Sequence, residues 1–380
     1  MNSTTTFEPL KQEADQVRVV DETAKFALIP FERVSDSLRA DWRDIRQSSS
    51  DFRSPFFSLA FHELVSSLNP GVEVACMQQG GRTRAILPLR RDSQGRAKPA
   101  GGGINDAHGL LCMPGFEVPF PEFLQRAGLR NYAFHAAPPE SHEAKTFEMG
   151  RTRAFLADLT VDPDGYAAFL KKRSRTIEKQ GQKTRKLGRE VGELTFEFQS
   201  PDRQVLERLI ALKRSQYQRT HTFDIFSVPW IEQLLFALLA KNEGELQGVL
   251  SVLSAGGKPV AIHFGIREGD LLHYWFPVYD PDFHFGSPGT QLFLDVVRAC
   301  ERDGITKIDM GYGEQAYKHK LTNVITEMSY GLVEANPLRR AAFRWKQQFE
   351  GVFKRSKIRE VLKPYARKVM PGFGGDKYSG

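Results

Sequence analysis

Two periods alternate along this chain. Where apolar residues recur every three or four positions the sequence predicts helices, and where they alternate or run unbroken between glycines it predicts strands. Phe26–Ile29 opens as a strand. Asp36–Gln47 follows as a helix with Leu38, Trp42 and Ile45 on one face. Ser54–Leu68 reads as a second helix, with Pro55 in its first turn and Asn69-Pro70-Gly71 as its stop. Val72–Met77 and Thr83–Leu89 are strands joined at Gln79-Gly80-Gly81. A glycine-rich loop over Ala100–Gly109, a helix over Phe120–Arg130, and strands at Tyr132–Ala136 and Arg153–Leu159 complete an α/β first half.

The second half opens with a long helix predicted over Asp162–Val191, begun by Asp162-Pro163. A strand at Leu194–Phe198 and helices at Asp202–Thr220 and Val228–Lys241 follow. The most regular stretch is next. Leu246–Ser254, Pro259–Arg267 and Leu271–Val278 alternate and are separated by Gly256-Gly257 and Gly269-Asp270, which predicts a three-stranded antiparallel meander. A loop leads to Ser287-Pro288-Gly289-Thr290, a helix to Asp303 closed by Gly304, and a strand at Ile305–Met310. Pro337–Leu362 is amphipathic: Trp345, Phe349 and Phe353 recur every four residues, with Arg340, Arg344, Lys354 and Arg355 beside them. That spacing predicts a helix docked by its apolar face on the second half. The rival is a peripheral membrane contact through residues 337–370.

Composition adds three constraints. At 380 residues and 41% hydrophobic, the chain supports two or three domain cores. No run of about 18 apolar residues occurs, which argues against a spanning helix. Residues 1–21 are polar and lack an apolar signal core, so they are expected to be a disordered leader on a cytoplasmic protein. Cys76, Cys112 and Cys300 are odd in number and widely spaced, which fits reduced thiols, and no cysteine or histidine spacing suits a metal. The net charge of +7 is concentrated: residues 171–190 carry +7 and residues 337–380 carry +9, leaving the remainder acidic. Such clusters mark contact with a polyanion or a solvated helix face.

Candidate chemistry gathers in two places. The turn Ser287-Pro288-Gly289-Thr290 precedes a helix whose first N–H groups lack internal partners, so Ser287, Gly289 and Thr290 are candidates to hold a pyrophosphate; the plainer reading is a cap with a first-turn proline. The strand after that helix ends in Asp309-Met310-Gly311-Tyr312-Gly313-Glu314-Gln315-Ala316-Tyr317-Lys318. Asp309 or Glu314 is a candidate base, Tyr317 a candidate proton donor, and Lys318 a candidate anion ligand. The alternative is a solvated turn with Lys318 paired to Glu314. His263 and His273, on neighbouring meander strands, titrate in the range of a general base, or are packed strand residues; His263 is carried as a catalytic candidate.

Taken together, the meander and the segment FGSPGTQLFLDVVRACERDGITKIDMGYGEQAYKHKL resemble the GNAT-like acetyltransferase domain of the FemAB and CelD-like branch. RSPFFSLAFHELV, RAILPLRR and FLKKRSRTIEKQGQKTRKL resemble further segments of it, so the likeness spans roughly residues 25–335. The Gly286–Gln291 turn is poorer in glycine and basic residues than is usual for that superfamily. The resemblance implies an α/β (α+β) protein of two tandem GNAT-like domains with mixed, mainly antiparallel sheets, at 22–160 and 161–336, plus a C-terminal amphipathic helix and tail at 337–380. It implies acetyl-CoA or another acyl-CoA as donor, with Ser287, Gly289 and Thr290 at its phosphates. Asp309, Tyr317 and Lys318 would line the side of a sugar or polysaccharide-precursor acceptor. Two other functions stand beside this one. The first is a FemAB-type transfer from aminoacyl-tRNA, disfavoured because residues 171–190 carry no aromatic residue to stack on RNA. The second is a silent regulator binding a cyclic dinucleotide.

Overall fold

The computed structural model describes residues 18–19, 23–138, 141, 146–241 and 244–345. The strands are β1 (Arg18–Val19), β2 (Lys25–Pro30), β3 (Glu73–Gln79), β4 (Arg82–Arg91), β5 (Arg96–Pro99), β6 (Leu111–Cys112), β7 (Phe116–Glu117), β8 (Asn131–Ala137), β9 (Glu148–Asp158), β10 (Leu194–Glu197), β11 (Leu246–Ala255), β12 (Lys258–Glu268), β13 (Leu271–Tyr279), β14 (Lys307–Tyr312) and β15 (Val324–Val333). The helices are α1 (Asp36–Gln47), α2 (Leu59–Leu68), α3 (Phe120–Arg126), α4 (Tyr166–Arg173), α5 (Arg175–Glu178), α6 (Gln180–Val191), α7 (Arg203–Arg219), α8 (Pro229–Leu239), α9 (Pro288–Arg302) and α10 (Ala316–Leu321).

One mixed sheet runs through both halves in the order β10-β11-β12-β13-β14-β9-β15-β8-β5-β4-β3-β2, with β6 on β4. The pairs β13–β14 and β5–β8 are parallel and the other neighbours along this path are antiparallel. The order contains a repeat. From one edge, β10-β11-β12-β13 meets β14 in parallel and ends on β9; from the other, β2-β3-β4-β5 meets β8 in parallel and ends on β15. Each half therefore borrows its sixth strand from the other: β9 precedes α4 in the chain yet lies between β14 and β15, while β15 follows β14 yet joins β8.

Burial follows the same plan. On one face, α1 and α2 of the first half share a core with α7 and α8 of the second, through Trp42, Phe56, Phe61, Leu209, Leu235 and Phe264. The opposite face of the second half is covered by α4, α6 and α9 around Tyr166, Leu187, Phe293 and Val297. The first half packs α3 over β2–β5 and β8 through Phe123 and Tyr132.

Several local expectations change. The helix expected over Asp162–Val191 is three helices, because Ser174 takes an extended conformation (φ −140°, ψ 111°) that ends α4. That break lets α6 cross the start of α9: Gln180 Nε2 donates to the Gly286 carbonyl at 3.0 Å, and Leu187 is fully buried beside Gly286. The helix expected from Ser54 starts at Leu59, where the Ser58 hydroxyl accepts from the Phe61 N–H. The helix expected to Arg130 stops at Arg126, before Gly128 at φ +74°. Strands β5 and β15 and helix α10 are additions to the expected set. Within the expected leader, Arg18–Val19 pair in parallel with Phe116–Glu117; residues 1–17 and 20–22 lie outside the described residues.

Residues 337–345 are helical, but Trp345 is 74% exposed and Leu338 79%. Trp345 therefore does not dock on the second half as its spacing suggested, since in this helix it faces solvent; Phe349 and Phe353 lie outside the described residues. No helix among the described residues is long and apolar enough to cross a membrane.

Candidate functional site

Strands β13 and β14 run side by side for three residue pairs only, Leu271 with Lys307, Leu272 with Ile308 and His273 with Asp309. Beyond that point they part. By Tyr312, β14 is paired with Ala154 of β9, while β13 continues along β12 to Tyr279. Opposite Gly265 of β12, strand β13 holds two residues, Tyr274 and Trp275, where β12 holds one. This is a bulge, which leaves an extra residue outside the ladder and bends the strand. The result is a wedge between two parallel strands, with His273 and Asp309 at its apex.

The apex is polar and tightly built. His273 is fully buried, its Nδ1 3.1 Å from Asp309 Oδ2 and its Nε2 3.1 Å from Asp106 Oδ2. Carboxylates accept, so both ring nitrogens must donate, which requires the imidazolium. The energetics agree: burial alone would push the His273 pKa down, but Asp309 and then Asp106 outweigh it and raise it to about 9. Burial likewise acts to raise the Asp309 carboxyl, yet His273, and the Gly311 N–H at 2.8 Å, hold it below its ordinary value. Gly311 sits at φ +65°, and a Cβ there would collide with Asp106 Oδ2, so the carboxyl approaches across bare backbone.

Asp106 comes from the first half, in the glycine-rich loop. Its loop is anchored by His108: Nε2 accepts from the His135 N–H at 3.0 Å and the Ala136 N–H at 3.2 Å, while Nδ1 donates to the Asn105 carbonyl at 3.2 Å. Burial, then the neighbouring His135, holds His108 neutral, well below the ordinary histidine range.

Helix α10 closes the wedge. Tyr317 is 41% exposed, and desolvation of its hydroxyl, followed by the Asp106 charge, pushes its pKa up to about 12. Lys318 is buried and donates to the Tyr312 carbonyl at 2.8 Å and the Gly311 carbonyl at 3.4 Å. It is not paired with Glu314. That residue turns outward to His319 Nε2 at 3.2 Å and Arg153 at 3.7 Å, so the structure separates Glu314 from the apex. Nor does His263 reach it. His263 is fully buried, stacked on Tyr274 at 3.8 Å, with neither ring nitrogen hydrogen-bonded among the described residues. Burial and then His273 hold its pKa well below the ordinary value.

The far end of β13 leads through a short 3-10 segment to α9. Ser287 takes a left-handed conformation, φ +47° and ψ 52°, and its hydroxyl does not cap the helix. It accepts instead from Lys183 Nζ of α6 at 2.9 Å, because α6 crosses here. Gly289 leaves the first turn open: a Cβ there would meet only the Tyr279 ring edge, at 3.5 Å. Lys186 lies 5.4 Å from the Phe285 ring centre, so the basic face of α6 borders this helix start. Ser287, Gly289 and Thr290 thus stand together at one end of β13, and Asp309, Tyr317 and Lys318 gather towards the other.

Sequence reasoning missed Asp106 and Lys213. Asp106 lies 167 positions from His273 in a loop whose glycines were its one signal. Lys213 sits on the inner face of α7, in register with Leu206, Leu209 and Ile210; a lysine on that stripe was the available sign. Two surface cavities, about 400 Å³ beside Glu207, Arg214 and Glu232 and about 670 Å³ beside Trp42, Arg46 and Arg267, share no residue with the wedge.

Comparison with known proteins bears on this geometry. No curated protein matches the chain. Among solved structures, FemX aligns over 80% of this chain and 98% of its own, at 9% identity and a TM-score of 0.52, a likeness of fold. The C-terminal domain of a protein described as a lysylphosphatidylglycerol synthetase from Agrobacterium fabrum aligns over 83% and 95%, at 15% identity and a TM-score of 0.49. A tandem GNAT protein from the clavulanic acid biosynthesis pathway aligns over 83% and 99%, at 11% identity and a TM-score of 0.48. A family model described as an acetyltransferase (GNAT) domain matches residues 171–319, the segment that carries the meander, α9, β14 and most of α10. Over that segment the chain is similar to acetyltransferase (GNAT) domains.

Proposed function

We propose that this protein transfers an acyl group from an acyl-CoA thioester to an amine or hydroxyl of a sugar in a cell-surface polysaccharide precursor. The observation that carries the acyl-transfer reading is the wedge between β13 and β14, which has an open helix start at one end and a polar apex at the other. The donor pyrophosphate would rest on the first turn of α9, where the helix dipole favours an anion, with Lys183 beside it. The pantetheine arm would then lie in the wedge, along the bulged strand, with the thioester near the apex. The sugar acceptor rests on the family resemblance.

The chemistry follows from the charges. The acceptor nitrogen or oxygen attacks the thioester carbonyl carbon, the C–S bond breaks, and the thiolate takes a proton. Tyr317 holds its proton at neutral pH and supplies it to sulfur. The acceptor's proton passes to a carboxylate flanking His273. The imidazolium offsets part of that negative charge and fixes both carboxylates in place. An N–H freed by the bulge would polarise the carbonyl oxygen.

Calorimetry with acetyl-CoA, paired with turnover of Asp309→Asn, tests the reading. Binding is expected, and Asp309→Asn should lower turnover by ~100-fold, the usual worth of a positioned base, with donor affinity unchanged. Absence of acetyl-CoA binding, together with RNA in the purified protein, would move the donor to aminoacyl-tRNA.

A further inference from the structure

We propose that Lys213 is an anion-binding residue of the acceptor site, where it holds a carboxylate or phosphate oxyanion carried by the molecule that receives the acyl group. Lys213 projects from the inner face of α7, the helix that packs on β12 and β13. Its side chain is buried, with 9% of the residue exposed. An ammonium has three protons to donate. Among the described residues, Nζ makes one hydrogen bond, to Gln216 Oε1 at 3.3 Å, and no ion pair with a carboxylate. The Tyr217 ring lies 5.6 Å away and adds only a weak attraction. A buried cation with so few partners is costly unless an anion joins it. Lys318 makes the need greater, because a second buried ammonium acts on Lys213 from α10. Burial, then Lys318, depresses the Lys213 pKa to about 8, so the charge is strained but present at neutrality.

The place of this cation gives its ligand a direction. Rings lead from Lys213 to the apex without a break. Tyr217 lies 6.3 Å from Phe226, Phe226 5.4 Å from Phe276, Phe276 4.7 Å from Trp275, Trp275 5.4 Å from Phe56, and Phe56 4.8 Å from His273. Trp275 and Tyr217 are partly exposed along this row. Phe56, Phe226 and Phe276 are buried, so an acceptor resting on the exposed edges of Trp275 and Tyr217 would have its nucleophile near His273 and its anionic group near Lys213. The assignment of the anion to the acceptor rests on the acyl-transfer reading; the anion site itself does not.

Thermal melts of the full chain in inorganic phosphate, and separately in acetate, at ionic strength balanced with chloride, test the site. Lys183→Ala is the background, since it removes the cation at the start of α9. In that background phosphate, acetate or both should raise the melting temperature, and Lys213→Met should weaken the apparent affinity by at least about tenfold. Without anion, Lys213→Met should melt higher than its parent, because it removes a buried charge. Lys213→Gln replaces it should the methionine variant not fold. A response to phosphate alone assigns a phosphoryl-bearing acceptor, and a response to acetate assigns a carboxylate. Equal responses with and without Lys213, or none in the parent, overturn the proposal. Failure of acetyl-CoA binding with the anion response intact would instead sink the acyl-CoA reading alone.

Discussion

His273 shows how a single residue can tie the site to the stability of the chain. Unfolded, it loses its proton near pH 6.5, whereas in the fold it keeps it up to about pH 9. Between those values the native state binds the extra proton, so stability falls as pH rises. The stabilisation is fully present below pH 6.5 and lost by about pH 9. Its size is on the order of 3 kcal/mol from the two pKa values. Melts between pH 6.5 and 9.5 should therefore show a decline that is much reduced in His273→Gln. An identical alkaline decline in that variant would show that the imidazolium between Asp106 and Asp309 is not its source. His62 works with the opposite sign. Burial, above all, holds its pKa at about 4, so the unfolded chain takes up a proton below pH 6.5 that the native chain refuses, and stability falls towards acid.

At the level of elements, the start of α9 is the most exacting prediction. Gly289→Asp places a carboxylate where an anionic donor would sit, yet its Cβ has room, with the Tyr279 ring edge 3.5 Å away. The variant should fold, because an acid in a first helical turn is favourable, and should bind acetyl-CoA at least tenfold more weakly by calorimetry. Unchanged affinity in the folded variant would relocate the donor phosphates. The same region shows what was legible in the chain. The meander and α9 could be read because period, glycine turns and caps agree there. Ser287-Pro288-Gly289-Thr290 was rightly picked out as a helix start, but its Lys183 contact comes from α6, and the extended Ser174 that places α6 has no local signature. Strand β15 escaped because its exposed first half, from Val324 to Glu327, carries no regular apolar alternation. Asp106 and Lys213 reach the site through tertiary packing, which a period cannot show. His273 was visible as an alternative to His263, but only the register of β13 on β14 decides which of the two meets Asp309.

For the whole molecule, the exchange of β9 and β15 determines how far the halves are separable. The family match ends at residue 319 and begins at 171, yet the sheet of that half is completed by β9, which precedes it in the chain. Strand β9 contributes Phe155 and Ala157, both fully buried against the second half's core. Loss of one such phenylalanine costs ~3–5 kcal/mol, a large part of the ~5–15 kcal/mol that stabilises a typical domain. Removing residues 18–160 also strips the β9 hydrogen-bond partners from β14 and, by taking α2 away, exposes the core that α2 shares with α8. A fragment of residues 161–345 should therefore lack a cooperative thermal transition, although it holds the whole segment that matches the acetyltransferase domain. Co-expression with residues 18–160 should restore the transition by returning β9, and with it Asp106. A cooperative melt of the lone fragment would show that the borrowed strand is dispensable. In that case Asp106 alone would tie the first half to the chemistry, and the fragment should still bind acetyl-CoA at α9 while turning over slowly.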